Sequence, residues 1–217
     1  MEKRIINITL VLILTLILTS CTANYTTDNL SLDEMLTSQI DITSDEFLSS
    51  VPNDYMDMLV LDTIHYGSFT AKDANEMFIT FKIKGTPHIA GLDRTITAVY
   101  NADTQKIILQ KTFVADIVSI YFLPDNGLGI QDILFLGDVT YQGYTTYMAK
   151  LYSLKGEKWE LKSLPIENKD KNLAYAITSN CLLHIFKLGY NEYGPIFDYI
   201  DTFYWDTASG VFVKNSP

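Results

Sequence analysis

Three histidines, two cysteines and a surplus of carboxylates are the groups from which this chain could assemble a reactive centre. His65, His88 and His184 stand far apart, and neither a His-x-x-x-His nor a Cys-x-x-Cys pair occurs. The ligand spacing that a structural or catalytic zinc needs is therefore missing. No Gly-x-Ser-x-Gly turn holds a strained serine nucleophile, and no Walker loop or dinucleotide fingerprint occurs; Gly127-x-Gly129 stands alone. Asp and Glu number 26 against 16 Lys and Arg, but a glycosidase pair is defined by separation in space, which chain spacing does not supply. Cys181 lies in the apolar run Cys181-Leu182-Leu183-His184-Ile185-Phe186. There a buried, inert thiol is the expected state, and His184 reads as a satisfied core or inter-strand histidine. The expectation is a chain with no catalytic residues, no metal and no cofactor.

Recognition chemistry is better represented. Tyr141-Gln142-Gly143-Tyr144-Thr145-Thr146-Tyr147 and Tyr190-Asn191-Glu192-Tyr193-Gly194-Pro195 are two loops dense in tyrosine with amide neighbours. A tyrosine offers an apolar ring face and a hydrogen-bonding tip, which suits sugars and peptides alike. Tyr141, Tyr144, Tyr147, Tyr190 and Tyr193 are thus candidate partner-binding residues. The competing reading is that these rings pack between structural units. The corresponding stretch upstream is Gly85-Thr86-Pro87-His88-Ile89-Ala90-Gly91.

What must position these loops is a set of short strands. Alternating runs rich in β-branched and aromatic residues appear at 77–83, 95–100, 106–109, 117–122, 133–136, 148–152, 159–161 and 203–205, with turn residues between them. A repeat underlies them. Tyr100, Tyr152 and Tyr204 are 52 residues apart, and each ends one strand, precedes a polar turn and is followed by a second strand. Upstream, Glu76, Asp132 and Asn180 each open an apolar run. A constant period of about 50 residues is the mark of blade-like repeats. The expected fold is mostly β, with three repeated β-meander, blade-like units of about 50 residues. They would be arranged like a propeller or as an open curved sheet or sandwich.

The second unit carries Asn126-Gly127-Leu128-Gly129-Ile130-Gln131-Asp132. This loop resembles that of FG-GAP or integrin-type β-propeller repeats, in which Asp-x-Asn-Gly-Asp-Gly-x-x-Asp binds calcium between two strands. Asn126, Gly127, Gly129 and Asp132 match, whereas Pro124 and Leu128 stand where the family has carboxylates. In the first unit, Ser68 to Glu76 keeps the final acid but puts Lys72 at a ligand place; the third unit has only the turn Thr178-Ser179-Asn180. The resemblance implies blades, while the missing oxygens imply a degenerate loop at Asn126 and Asp132 that does not hold calcium. Three units are fewer than the roughly four to eight blades of propellers, which leaves either a fourth blade near Tyr55 to Tyr66 or an open arrangement.

The amino terminus has basic Lys3 and Arg4, then an apolar run to Leu18, shorter than the roughly 20 residues that span a bilayer. Leu18-Thr19-Ser20-Cys21 resembles the bacterial lipobox. That resemblance implies cleavage before Cys21 and diacylglycerol on its thiol, two chains being what stable anchoring takes. Cys181 then has no partner for an intrachain disulfide. Residues 1–20 are read as a lipoprotein signal peptide, 21–54 as a flexible tether and 55–217 as the all-β repeat domain. Within the tether, Ser31-Leu32-Asp33-Glu34 resembles a capping box, and Asp45-Glu46-Phe47-Leu48 could open another turn.

A formal net charge of -10 and a pI near 4.6 exclude affinity for phosphate backbones and for anionic lipid surfaces. The expectation is a non-catalytic lipoprotein on the outer face of the bacterial cytoplasmic membrane, held through Cys21 and binding an envelope protein or cell-wall glycan. The alternatives are an envelope hydrolase with scattered acidic residues, or an accessory subunit of a transporter or sensor.

Overall fold

A computed structural model describes residues 31–42, 53–83, 94–166 and 172–214. The signal segment 1–20, Cys21, the stretch at Asp45 to Leu48 and the loop Gly85 to Gly91 with His88 lie outside the described residues. The chain divides into two compact units between Met35 and Leu36.

Among the described residues one helix, α1 (Leu32–Ser38), and a 3-10 turn (Asn53–Met58) precede twelve strands. The first sheet contains β1 (Leu59–Gly67), β2 (Glu76–Ile83), β3 (Arg94–Asn101) and β4 (Lys106–Val114). The second contains β5 (Ile117–Asp125), β6 (Gln131–Tyr141), β7 (Tyr144–Leu154) and β8 (Trp159–Lys162). The third contains β9 (Leu173–Ile177), β10 (Leu182–Asn191), β11 (Gly194–Asp206) and β12 (Val211–Lys214). Each sheet is an antiparallel meander in chain order, so the protein is mostly β and built from three four-stranded units. Tyr100, Tyr152 and Tyr204 sit near the ends of β3, β7 and β11, each ahead of the hairpin to the fourth strand. The residues considered for a fourth blade, Tyr55 to Tyr66, instead run through the 3-10 turn into β1. They complete the first meander.

Two cores separate the sheets, and alternation along single strands builds both. In β6, Ile133 and Phe135 enter a core with Phe78, Val99 and Phe113 of sheet 1, whereas Leu134 enters one with Leu183, Ile185 and Phe203 of sheet 3. The unbroken run Ile133 to Phe135 is therefore a strand buried on both faces. The first core is aromatic: Phe113 stacks on Phe135 at 3.9 Å, and the ring of Phe78 meets Phe69, Phe122, Phe135 and Trp159.

Sheet 1 is buried on its other face too, where Met77, Ile79, Phe81, Ile96 and Ala98 are covered. The chain after α1 docks on the β4 edge. Gln39 Oε1 accepts from Ile107 N at 2.8 Å, and Gln110 exchanges hydrogen bonds with the backbone of Asp41. Leu36 and Ile40 are buried. The predicted capping box forms, with Glu34 N donating to Ser31 Oγ and Ser31 N to Glu34 Oε2. Residues 36–42 thus belong with the β unit, upstream of the expected boundary at 55.

Candidate functional site

Two hairpins extend past their flanking strands and carry the tyrosines. β8 pairs only with Leu151–Leu154 of β7, and β12 only with Phe203–Asp206 of β11, so the tips stand as two-stranded ribbons. Tyr141 and Tyr144 pair across the turn Gln142-Gly143, whose φ values of 49° and 83° give the doubly positive geometry of a tight hairpin. Glycine meets that demand without strain, and a Cβ there would touch nothing.

The ribbons meet each other. The Tyr190 hydroxyl donates to Thr145 O at 2.7 Å and accepts from Thr145 N at 2.6 Å, occupying a stretch of the β7 edge that β8 leaves open. Tyr144 lies edge-on to Tyr190 at 5.1 Å, and Tyr147 to Phe197 at 5.9 Å. Burial, with the charges of Asp138 and Tyr190 adding to it, raises the Tyr147 phenol above its ordinary pKa. The five tyrosines therefore divide. Tyr144, Tyr147 and Tyr190 interlock the ribbons, while Tyr141 and Tyr193 stand free of them, at 63% and 88% exposure. Sequence reading missed Ile196, Phe197, Tyr199 and Ile200, all exposed on β11, with Phe197 against the Tyr147 ring. Their signal was available: four apolar residues at 196, 197, 199 and 200 do not alternate as a half-buried strand should.

The loop at Asn126 to Asp132 is built differently. Its oxygens are spent within the protein: Asp125 Oδ1 accepts from Gly129 N at 2.8 Å and Asn126 Oδ1 from Leu128 N at 3.1 Å. Asp132 is fully buried and accepts from Asn126 Nδ2 at 3.0 Å and from the Lys162 ammonium at 2.7 Å. Lys162 also donates to the Gly210 carbonyl and lies 5.3 Å from the Trp205 ring centre, while Trp205 Nε1 donates to Pro124 O. Gly210, at φ 61°, approaches so closely that a Cβ would sit 2.9 Å from Asn126 Cβ. A lysine cation thus holds the loop to the β11–β12 turn. Among the described residues no group of three or more His, Cys, Asp or Glu could hold a metal ion. In the first unit Glu76 has the matching place, and its buried carboxylate accepts from Phe69 N at 2.7 Å, Thr70 N at 2.9 Å and Thr70 Oγ1.

Cys181 closes the turn before β10 with φ 56°, half-buried, and burial raises its thiol pKa, which favours the unreactive thiol. His184 Nδ1 bonds the hydroxyl of its cross-strand partner Thr202 at 2.6 Å. Among the described residues, clefts between or beside the sheets include five whose linings each contain one carboxylate: Asp138, Asp116, Asp62, Glu160 or Asp125. Among the described residues no helix is long and apolar enough to cross a membrane. Compared with family models, with curated proteins and with solved structures, the chain has no match.

Proposed function

We propose that the protein is a non-catalytic lipoprotein, anchored at the outer face of a bacterial cytoplasmic membrane through Cys21, that recognises a partner protein through its tyrosine ribbons. The observation that carries this reading is the concentration of exposed large apolar side chains there. Tyr141, Tyr144, Tyr193, Phe197 and Tyr199 lie on two ribbons that already touch. Contiguous exposed apolar surface of this kind marks interaction sites, and aromatic residues are enriched in protein interfaces. The ribbons project, which favours a protein surface over a glycan chain that would need a groove. The three meanders are then blade-like units set side by side, the second and third presenting their hairpins together.

Two experiments test the reading. Photo-crosslinking from position 193 of the lipidated full chain in its native envelope should capture one protein band, lost when Tyr141 and Tyr199 are both changed to Ala. Capture of cell-wall glycan alone would replace the protein partner by a sugar. For the anchor, Cys21→Ala should abolish incorporation of labelled fatty acid; persistent labelling rules Cys21 out.

A further inference from the structure

The face that sheet 1 turns toward sheet 2 changes chemistry along its length. The cross-strand pair Phe78–Val99 belongs to the aromatic core. The next pairs on that face are Thr80–Thr97 and Lys82–Thr95, and β1 adds Thr63 opposite Thr80. Thr80, Thr95 and Thr97 are buried, at positions where packing alone would select Val or Ile. Here the sheets part around a cleft of about 410 Å³, closed on the other side by β5 with Val118, Ile120 and Phe122. A second cleft of about 330 Å³ shares Lys82, Thr95 and Val118 with it.

We infer that this wedge between β1 and β5 is a binding site for an uncharged, polyhydroxylated ligand of the size of one or two sugar rings. One wall is a chain of hydroxyls. Thr63 Oγ1 and Thr80 Oγ1 are 2.6 Å apart, and Thr80 Oγ1 is 3.4 Å from Asp62 Oδ2. Asp62 is matched by Lys82 Nζ at 2.9 Å, so the wall presents no net charge to attract an ion. A hydroxyl both donates and accepts, which is the pairing a sugar edge offers in return. The facing wall on β5 is apolar, with Val118, Ile120 and Phe122, and the ring of His65 on β1 lies flat on Phe122 at 3.8 Å and 4° where the two walls meet. Burial lowers the pKa of His65, which keeps that stack neutral. A pyranose has the same two sides, a polar rim and an apolar C–H face, and the cleft lies in the size range of small-ligand sites. Strand addition by a peptide is disfavoured, since the β1 edge is interrupted by a bulge between Leu61 and Thr63 and carries a charge pair.

The test is a methyl-detected NMR titration of the full chain with glucose, N-acetylglucosamine and the disaccharide of each. Glucuronate and glucosamine serve as charged controls. Shifts should concentrate on Val118, Ile120 and Thr80 for at least one neutral sugar, with both charged controls weaker. Thr95→Val should weaken that sugar about tenfold at an unchanged melting temperature. Tyr121→Ala, at an exposed position of the lining, is a second variant that keeps the test open if the first unfolds. The inference is overturned if no neutral sugar shifts these methyls, if the shifts fall only on the tyrosine ribbons, or if neither variant weakens binding. Equal binding of the charged controls also overturns it.

Discussion

Sheets 1 and 3 are the same antiparallel meander, yet their long apolar strands meet opposite ends. β2 is buried at every position except Lys82. β11 is exposed from Pro195 through Ile200 and buried only at Phe203 and Trp205. The difference lies in what flanks each strand. β2 has a full-length partner on both sides, an aromatic core on one face and buried Met77, Ile79 and Phe81 on the other. The outer half of β11 has only β10, because β12 is four residues long. Equal hydrophobicity therefore makes core in one sheet and available surface in the other.

The sharpest way to break this comparison is a matched pair of truncations. Phe81→Ala should cost about 3–5 kcal/mol, as for a fully buried ring, and Phe197→Ala well under half of that, both read by denaturant unfolding. Equal costs would mean that the β11 ribbon is packed after all. Next in size is the lysine that holds the β11–β12 turn. Lys162→Met leaves Asp132 buried without its cation and should cost about 3 kcal/mol. Adding Asp132→Leu should recover much of that loss, and a double-mutant cycle with no coupling refutes the latch.

A smaller effect comes from His65. Burial, opposed in part by the side chain of Gln131, holds its folded pKa below 6.5. The unfolded chain then binds the extra proton, so this contribution is complete above pH 6.5 and is lost as pH falls from 6.5 through the folded pKa. His65→Phe should flatten the stability profile in that window; an unchanged slope assigns it to other groups. Smallest of all, Tyr193→Ala should change stability by no more than about 0.5 kcal/mol, measured by thermal melting. A larger loss would place that ring in the fold and remove it from the recognition surface.

Much of this molecule is legible along the chain. Polar turns after Tyr100, Tyr152 and Tyr204 mark the third hairpin of each sheet, because turn chemistry and period-2 alternation act within a few residues. The repeat does not carry over to burial: Tyr100 and Tyr152 are 3% and 5% exposed, Tyr204 36%. Strands β1 and β9 gave no clear local signal, since Asp62, His65 and Tyr66 interrupt one and the other is five residues long. Lys162 was invisible as a functional group. Its partners Asp132 and Gly210 lie 30 and 48 residues away; the first comes within reach when β6, β7 and β8 pair in sheet 2, the second only when sheets 2 and 3 pack.

By itself the sequence determined the strand-rich composition, the three-fold meander rhythm, the absence of metal spacing and the lipobox-like end at Cys21. These are local properties, set by side-chain alternation, turn residues and short motifs. Only the tertiary structure decided which apolar runs become core, which tyrosines interlock and which stand in solvent, and that Asp132 faces an ammonium. It alone placed Thr63, Thr80 and Thr95 together at the wedge between two sheets. Burial and pairing depend on what arrives from distant parts of the chain, and a strand carries no record of its neighbour until the sheets are stacked.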